Sequence, residues 1–471
     1  MENDAKQTAK TAALNTVANV FSLLVGMTVI PIITRVISQE DLGIATTFIS
    51  TRNILVILFT LAVYSYVHRA MLDFKDEKKD YLFTIVVFCT AMVIAFFCVI
   101  LPFKQQFMHF LSLDNFLFYW MFISCYVMAV YNIGNFYCVF HNKYFLVAGM
   151  VFCIGTFGPI LSVVLALIFK QHKYIGRVIG LDFVYVIVTV IVLAWLLFSK
   201  GKKIKKLYLV RTLHFSVPVI PHLLSQSVLT QCDLIMITYF CGSKETGIYS
   251  MGQTVGYLAL TVMTQIMAAW SPWVYRRFEE KKYETVYQNS KLMILLGTYI
   301  SFGLLTVSTE LIKIFLPKGY LPCIYIVPPL VVSMYFQFIY LFFYDIEYYN
   351  RKADRIAIAS VIASGLNLIL NFFFMKKFGY IAACYTTAVS YLVLLLVNYL
   401  FCRSLGVKKI CDVKYMCFWI VVMILYAIGM ILLEPYFVVR YLILIIITIL
   451  LITWKYKDAM ELLKTLKSKG D

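Results

Sequence analysis

Residues 38–46 of the chain read Ser-Gln-Glu-Asp-Leu-Gly-Ile-Ala-Thr, and residues 242–250 read Gly-Ser-Lys-Glu-Thr-Gly-Ile-Tyr-Ser. The two stretches lie 204 residues apart. When the two stretches are aligned, Asp41, Gly43, Ile44 and Thr46 of the first match identical or similar residues of the second, at positions 245, 247, 248 and 250. Each stretch joins two long apolar runs. A polar turn repeated in this setting is typical of a membrane protein built from two copies of one helical unit.

Long apolar runs flank both turns and fill most of the chain. Of its 471 residues, 62% are hydrophobic and 14% are charged, whereas soluble domains average about 45–50% apolar and 25% charged. A membrane helix needs about 20 apolar residues, so the composition excludes a large extramembrane catalytic domain and predicts an all-α, polytopic membrane protein. We expect about fourteen transmembrane helices, near residues 11–33, 43–67, 81–102, 116–140, 144–169, 174–198, 213–240, 247–270, 290–316, 323–348, 355–375, 379–401, 413–432 and 438–454.

The repeat distance also predicts how the two copies are oriented. Six predicted helices separate the two turns, and an even number leaves both copies pointing the same way across the membrane, as in parallel repeats. We therefore expect a first six-helix bundle in residues 1–198, a basic cytoplasmic linker in 199–212 and a second six-helix bundle in 213–401. Residues 402–471 are expected to add two transmembrane helices and a basic cytoplasmic tail.

Lysine and arginine are divided unevenly between the two sides of this topology. With fourteen helices both termini lie on one side, and that side carries 30 of the 42 Lys and Arg residues against 11 on the other. Cytoplasmic loops are enriched in these residues, so we expect both termini in the cytoplasm. The net charge of +18 then follows from topology, with attraction to anionic membrane lipids as a secondary effect. No nucleic-acid partner is needed to explain it.

Signatures of soluble enzymes are missing from the sequence. It contains no GxxxxGK[ST], HExxH or GxSxG motif, no CxxC pair and no Cys/His cluster with zinc spacing. Most of its 12 cysteines lie within apolar runs and are typical of small buried side chains. We therefore expect neither an enzyme nor a bound metal or cofactor.

Polar side chains recur at helical spacing inside the predicted membrane helices. Within a bilayer such groups face a protein-lined or water-filled interior rather than lipid. The alternative is that they only hydrogen-bond neighbouring helices as packing contacts. The candidate cavity residues are Asn15, Asn19, Asn132, Asn135, His222, Gln226, Asn367 and Asn371.

Arg52 lies deep inside the second predicted helix. It follows Leu42 by ten positions, about 15 Å of helix, which places it near the middle of a hydrocarbon core about 30 Å thick. No acidic residue shares its span, and a guanidinium binds phosphate in a planar, bidentate manner. An unpaired Arg52 facing a cavity would therefore favour an anionic substrate. The alternative is an ion pair with Asp233, Asp345 or Glu347 from another helix.

Asp233 follows a predicted helical segment that contains Pro218 and Pro221. Prolines leave backbone carbonyls without a partner, and these carbonyls together with a carboxylate can receive a proton or a sodium ion. Asp233 is therefore our candidate for coupling transport to an ion gradient. The alternative is a carboxylate near the outer interface that is bonded to neighbouring helices.

Several longer motifs carry a family resemblance. They are FSVPVIPH at 215–222 followed by Asp233, TGIYS at 246–250, the stretch from Asn15 through PIITRVIS at 31–38 to Gly43, GLNLILN at 365–371 and FGYIAA at 378–383. Together they resemble the bacterial polysaccharide and O-antigen flippases, a branch of the multidrug, oligosaccharidyl-lipid and polysaccharide exporter superfamily. One departure is MKK at 375–377, where these proteins commonly carry a proline.

The resemblance implies a flippase of the bacterial cytoplasmic (inner) membrane. Its cargo would be an undecaprenyl-diphosphate-linked oligosaccharide repeat unit, moved from the inner to the outer leaflet for synthesis of capsule, O-antigen or exopolysaccharide. A diphosphate and several sugars do not cross hydrocarbon unaided, so such a protein needs a hydrated cavity with a phosphate-binding cation. Two parallel bundles favour alternating access. Because the sequence has no nucleotide-binding motif, we expect the energy to come from an H+ or Na+ gradient or from the downhill chemistry of a partner. The expected partners are a polysaccharide polymerase and glycosyltransferases.

Three rival functions stay open. A multidrug or cation antiporter of the same superfamily would share the bundles, but a cavity for cationic drugs should expose acids rather than Arg52. A membrane polymerase or ligase would need a large external loop, whereas the longest external connections here are about ten residues. A flippase of lipid-linked peptidoglycan precursor differs only in its cargo, which the sequence does not distinguish.

Overall fold

The computed structural model describes residues 25–199, 203–405 and 411–467. Within these ranges the chain forms α-helices joined by short turns, and no strand occurs in them. Eleven of the described helices are long and apolar enough to cross a membrane, and two shorter apolar stretches lie at Val25–Val36 and Phe437–Leu451. The expected all-α, polytopic fold is confirmed.

Thirteen of the fourteen predicted apolar runs hold one long helix each, and the described part of the first run, from residue 25, belongs to the shorter helix α1. A turn at residues 141–143 separates the fourth from the fifth, so these two runs are not one helix. Two short helices, α3 and α5, connect membrane helices. The helices are α1 (Val25–Val36), α2 (Gln39–Phe59), α3 (Val67–Asp73), α4 (Lys78–Ile100), α5 (Lys104–Leu111), α6 (Asn115–Phe140), α7 (Tyr144–Ile168), α8 (Lys173–Phe198), α9 (Lys206–Phe240), α10 (Ser243–Glu279), α11 (Tyr283–Phe315), α12 (Cys323–Tyr349), α13 (Ala353–Phe378), α14 (Ala382–Ser404), α15 (Val413–Leu432) and α16 (Phe437–Lys467).

Helix boundaries repeat between the two halves of the chain. α1 and α9 end 204 residues apart, at Val36 and Phe240. α2 and α10 begin 204 residues apart, at Gln39 and Ser243. The starts of α7 and α13, and those of α8 and α14, are 209 residues apart. The helix boundaries therefore repeat with nearly the same offset as the sequence, and the division into two six-helix bundles followed by α15 and α16 stays a prediction.

The repeated polar stretches are the starts of α2 and α10. At α2, the Ser38 hydroxyl accepts a hydrogen bond from the backbone N–H of Asp41 at 3.0 Å, which satisfies one of the free donors at a helix N-terminus. At α10, Gly242 has a φ of +115°, a backbone conformation that glycine adopts without a steric cost. Acidic side chains occupy the first turn of both helices, where they interact favourably with the helix dipole.

α9 packs against both halves of the molecule. Near its start, Tyr208 joins a buried apolar cluster of the first half that includes Tyr81. Further along, Leu224 packs against a small buried cluster that includes Val56. Near its end, Ile237 belongs to the core of the second half. α9 therefore connects the first bundle to the second, and the predicted domain boundary at residue 213 stays a prediction.

Candidate functional site

The first turns of α2 and α10 pack against each other at very short range. A Cβ atom added to Gly43 would lie 1.7 Å from the backbone oxygen of Ser243, and one added to Gly247 would lie 1.9 Å from the backbone oxygen of Gln39. These four residues form two pairs of repeat equivalents, so the contact uses the same surface of both helices, as a two-fold interface does. Small residues are what allow helix backbones in a membrane to approach this closely.

Buried hydroxyl groups of α2, α9 and α10 lie beside this contact. The hydroxyls of Thr47 and Thr238 lie 2.5 Å apart, and those of Thr238 and Thr246 lie 2.7 Å apart. On the apolar side, Ile33 of α1 and Ile248 of α10 belong to one buried cluster. The two bundles are therefore closed against each other at this end.

Towards their other ends, α2 and α10 have different neighbours. Val56 of α2 packs with Ala129 of α6 and with α9. Ser271 of α10 donates a hydrogen bond to Asp345 of α12 at 2.8 Å, and the rings of Trp270 and Phe342 lie 5.7 Å apart. Beyond their first turns, α2 therefore packs between α6 and α9, whereas α10 packs against α12.

Arg52 is buried inside the first bundle and forms an ion pair with Asp182 of α8. The two side chains are 5% and 2% exposed. Asp182 also accepts hydrogen bonds from Trp120 Nε1 at 2.9 Å and from Ser124 Oγ at 2.6 Å, both on α6. The guanidinium carbon of Arg52 lies 5.5 Å from the centre of the Tyr185 ring. Three helices of one bundle therefore converge on a balanced pair of charges.

The expectation that Arg52 is unpaired is therefore wrong. The alternative, an ion pair with Asp233, Asp345 or Glu347, is also wrong. Asp182 belongs to the same bundle as Arg52, so the charge is neutralised locally, which avoids the cost of an isolated charge deep in a membrane. One donor of the guanidinium, Nε, is buried and has no hydrogen-bond partner among the described residues. Arg52 therefore keeps a free N–H while its charge is balanced.

Asp233 lies among polar side chains contributed by three other helices and is 2% exposed. It accepts hydrogen bonds from Asn371 Nδ2 at 2.7 Å, Thr387 Oγ1 at 2.5 Å and Tyr249 Oη at 3.2 Å. Asn371 Nδ2 also donates to Asn367 Oδ1 at 3.1 Å. The predicted residues Asp233, Asn367 and Asn371 are thus brought together in the second bundle.

The two buried carboxylates differ in what balances their charge. Asp182 has Arg52, whereas every ion pair formed by the described residues leaves Asp233 out. An isolated carboxylate inside a membrane protein is costly, and in the described part of the chain only neutral hydrogen-bond donors face Asp233. The side-chain oxygens of Asn367 and Thr387 beside it are of the type that hard cations prefer. The arrangement is chemically suited to a site for H+ or Na+.

The remaining predicted cavity residues do not join this network. Gln226 Nε2 donates to Ser360 Oγ at 3.0 Å, which links α9 to α13. Asn135 Oδ1 and His222 Nδ1 are buried without a hydrogen-bond partner in the described part of the chain. Asn132 is partly buried in α6. The other two candidates, Asn15 and Asn19, lie outside the described residues.

Sequence reasoning missed several members of these two networks. Asp182 carried a usable signal, because it is an acidic residue well inside the sixth predicted span and such residues are functional or paired by default. Thr387 and Tyr249 carried none, because threonine and tyrosine are common throughout the membrane helices of this chain.

Comparisons with known proteins agree with this architecture. The family model described as "Polysaccharide biosynthesis protein" matches residues 8–278. Among solved structures, the chain is similar to a lipid II flippase MurJ in an inward closed conformation, with a TM-score of 0.74 and 15% identity over 95% of this chain and 100% of that chain. A comparison with curated protein sequences finds no match.

Transporters of the MOP superfamily share the same fold. An inward-facing multidrug resistance MATE family transporter aligns with a TM-score of 0.63 and 12% identity over 83% of this chain and 97% of that chain. A MOP superfamily transporter from Pyrococcus furiosus aligns with a TM-score of 0.54 and 11% identity over 84% of this chain and 94% of that chain. The chain therefore has the fold of this superfamily of membrane transporters and flippases.

Proposed function

Since this chain belongs to the polysaccharide biosynthesis protein family, we propose that it is a flippase for undecaprenyl-diphosphate-linked oligosaccharide repeat units. It moves them from the inner to the outer leaflet of the bacterial cytoplasmic membrane, where they are used to build a surface polysaccharide. The observation that carries the proposal is the family match across residues 8–278, which covers the first bundle and continues through α9 and most of α10. The fold shared with a lipid II flippase supports it.

The orientation we propose places both termini in the cytoplasm. The excess of 30 Lys and Arg residues over 11 supports it. In that orientation the contact of Gly43 with α10 and of Gly247 with α2 lies at the external end. The structure then corresponds to a state closed to the outside. In alternating access, the two bundles would separate at this contact and approach each other at their cytoplasmic ends. The cargo would then be exposed to the outer leaflet.

We propose that Asp233 couples this motion to an ion gradient. A buried carboxylate without a cationic partner can receive H+ or Na+. Asn367, Asn371 and Thr387 come from α13 and α14, so binding at Asp233 would draw α9 towards these two helices. The ion would then bind Asp233 with different affinities in the two states of the protein, and ion coupling requires such a difference.

In this proposal Arg52 contributes to cargo binding while it stays ion-paired with Asp182. A neutral pair attracts a diphosphate less strongly than a free arginine, but the unpartnered Nε still offers a donor and phosphate oxygens accept strongly from a guanidinium. The other proposed cavity residues are Asn15, Asn19, Asn132, Asn135, His222 and Gln226.

A reconstituted leaflet assay tests the function. The purified chain is placed in vesicles that contain a fluorescent undecaprenyl-diphosphate oligosaccharide, and an external glycosidase reports the fraction in the outer leaflet. We expect nearly all of the lipid to become accessible with the protein, and about half without it. Equal accessibility in both vesicles would contradict the proposal. Transport of lipid-linked peptidoglycan precursor in preference to the oligosaccharide lipid would overturn the cargo, and efflux of a cationic dye would indicate an antiporter.

A further inference from the structure

An apolar cavity of about 180 Å³ lies between α4, α6 and α8 of the first bundle. Its walls include Ile133, Tyr137, Cys138, Ile191 and Trp195. The α8 wall belongs to a strongly apolar and exposed helix face, with Ile191 61% exposed. In a membrane helix such a face contacts lipid. The cavity is therefore accessible from the bilayer, and it is separate from the Arg52 and Asp233 networks.

Lysine side chains surround the polar end of this cavity. Lys143 is part of its lining, with its Nζ 5.8 Å from the centre of the Tyr137 ring. Lys79, in the first turn of α4, has its Nζ 6.0 Å from the centre of the Trp195 ring. Both ammonium groups thus lie over the aromatic residues that form the cavity walls.

A third lysine, Lys78, lies beside these two, and we call Lys78, Lys79 and Lys143 together the basic rim. Lys78 Nζ lies 5.3 Å from the centre of the Phe140 ring and 3.4 Å from His141 Nε2. The rim lies where α4 begins and α6 ends, which is the depth of lipid headgroups for helices that span the bilayer.

None of these three lysines forms an ion pair with a carboxylate among the described residues. The neighbouring acidic residues Glu77 and Asp80 instead contact residues at or just before the start of α9. Glu77 binds Lys205 and Tyr208, and these hydrogen bonds lower its pKa. Asp80 Oδ1 accepts a hydrogen bond from the backbone N–H of Lys203 at 3.1 Å. Among the described residues, no carboxylate therefore lies within ion-pair distance of the lysines at the cavity mouth.

We propose that this cavity binds one acyl chain of an anionic glycerophospholipid, whose phosphate is held by Lys79 and Lys143. Basic pockets between membrane helices at the cytoplasmic surface are suited to anionic headgroups, and the apolar walls are suited to hydrocarbon. The proposal rests on the orientation proposed above, which places the rim in the cytoplasmic leaflet. The bound lipid anchors the ends of α4, α6 and α8 to that leaflet while the second bundle moves.

Native mass spectrometry of the full-length protein in detergent tests this site directly. The probes are phosphatidylglycerol and phosphatidylcholine with identical acyl chains. We expect the wild type to bind phosphatidylglycerol at least tenfold more tightly. Each lysine near a bound anionic headgroup is worth about a fivefold change in affinity, so Lys79→Gln/Lys143→Gln should weaken phosphatidylglycerol binding by about 25-fold. Cys138→Phe, which fills the cavity, should weaken it with all lysines intact.

A matched control removes the same charge elsewhere on the same side. Lys281 and Lys352 lie in the turns after α10 and α12, and Lys281→Gln/Lys352→Gln should leave phosphatidylglycerol affinity unchanged. Equal losses in both double variants would overturn the site, as would equal wild-type affinity for the two lipids. Lys79→Arg/Lys143→Arg keeps the charge and should keep binding, so a loss there would also contradict the proposal.

The same experiment separates this lipid from the proposed cargo. Excess undecaprenyl diphosphate should not displace phosphatidylglycerol from the wild type. Displacement would identify the cavity as an entry point for the cargo and overturn the assignment of a resident phospholipid. Because this readout is binding alone, it stays interpretable if the flippase assay itself fails.

Discussion

Gly43 of α2 and Gly247 of α10 occupy equivalent positions of the two repeats, and each packs against the backbone at the start of the other helix. The similarity between residues 38–46 and 242–250 therefore has a structural consequence beyond common descent. The two copies of the turn contact each other, and a self-complementary contact requires the same small residue on both sides. In the orientation proposed above, this contact lies at the external end of the molecule and helps to close it.

Replacing Gly43 with alanine should prevent this closure. The new Cβ would lie 1.7 Å from the backbone oxygen of Ser243, a separation that only movement of the helices relieves. We expect Gly43→Ala to favour the state open to the outside. A cysteine introduced at Thr47, which is fully buried just beyond the contact, should become reactive to an external thiol reagent in this variant, in a background without native cysteines.

The control for this experiment is Gly303→Ala in α11. A Cβ at Gly303 meets no atom within 4 Å, so this substitution should leave the Thr47→Cys site protected. Equal protection in the two alanine variants would show that the α2–α10 contact does not control external access.

Much of the fold could be predicted because it follows from local properties of the sequence. Apolar runs of about 20 residues require membrane helices, and the positions of Asp41, Gly43 and Ile44 reveal the repeat. The sequence did not predict that Asp233 meets Asn367 and Asn371. Asp233 was a candidate for ion coupling and the two asparagines were candidates for the cargo cavity, and nothing in the sequence paired α9 with α13.

The partner of Arg52 could not be predicted in the same way. Which acid neutralises it depends on which helices are neighbours in space, and the sequence shows only that α2 and α8 belong to one bundle. The acids considered first lie in the second bundle. Similarly, no periodicity indicates that α9 packs Tyr208 against the first half and Ile237 within the second.

Topology can be tested with reporter fusions. A reporter joined after Lys205 should behave as cytoplasmic, and one joined after Lys244 should behave as external, because the basic loops lie on the side of Lys205. Alkaline phosphatase activity together with fluorescence of a green fluorescent protein distinguishes the two sides. A cytoplasmic signal at Lys244 would reverse the orientation and move the glycine contact to the cytoplasmic end.

Asp412 links α15 to α11 and should give a pH-dependent contribution to stability. It accepts a hydrogen bond from the backbone N–H of Tyr415 at 3.2 Å and pairs with Lys291 Nζ at 3.1 Å. The Tyr415 N–H first, and then Lys291, lower its pKa to about 2. Because the pKa in the folded state lies below the usual value of about 3.9, this contribution is present above pH 4 and is lost as the pH falls towards 2.

Asp412→Ala should therefore lower the unfolding free energy at pH 7 by about 1 kcal/mol, the usual cost of losing a helix N-cap. Thermal unfolding in detergent measures it, and the difference from wild type should shrink between pH 4 and pH 2.5. Asp412→Asn keeps a capping oxygen and should lose less. A loss that is the same at pH 7 and pH 2.5 would contradict the role of the ionised carboxylate.

The role of Asp233 is tested by removing its charge. Asp233→Asn keeps the shape of the side chain but binds neither H+ nor Na+ in place of the carboxylate. We expect flipping in vesicles to lose its dependence on an imposed proton or sodium gradient, with protein abundance unchanged. Asp76→Asn, at an exposed position in a loop, serves as the control. If Asp233→Asn retains full gradient dependence, Asp233 is a packing residue only.

The Arg52–Asp182 pair permits a test that separates stability from transport. Arg52→Ala leaves Asp182 buried with only the neutral donors Trp120 and Ser124. Removal of one partner of a buried ion pair costs about 3 to 5 kcal/mol, so the single variant should be depleted from the membrane. Arg52→Ala/Asp182→Ala removes both charges and should recover most of the abundance, as measured by immunoblot and by size-exclusion chromatography of a fluorescent fusion.

Transport by the double variant then reports on Arg52 itself. If Arg52 contributes to cargo binding, the abundant double variant should still leave lipid-linked glycan on the cytoplasmic leaflet, because the donor to the diphosphate is lost. A charge-assisted hydrogen bond to phosphate is worth about 1.5 to 3 kcal/mol, so capture should weaken by roughly ten- to a hundredfold. Arg52→Lys keeps the charge but not the bidentate geometry and should transport at an intermediate rate. An abundant double variant that transports at the wild-type rate would leave Arg52 as a residue that stabilises the first bundle and has no part in binding cargo.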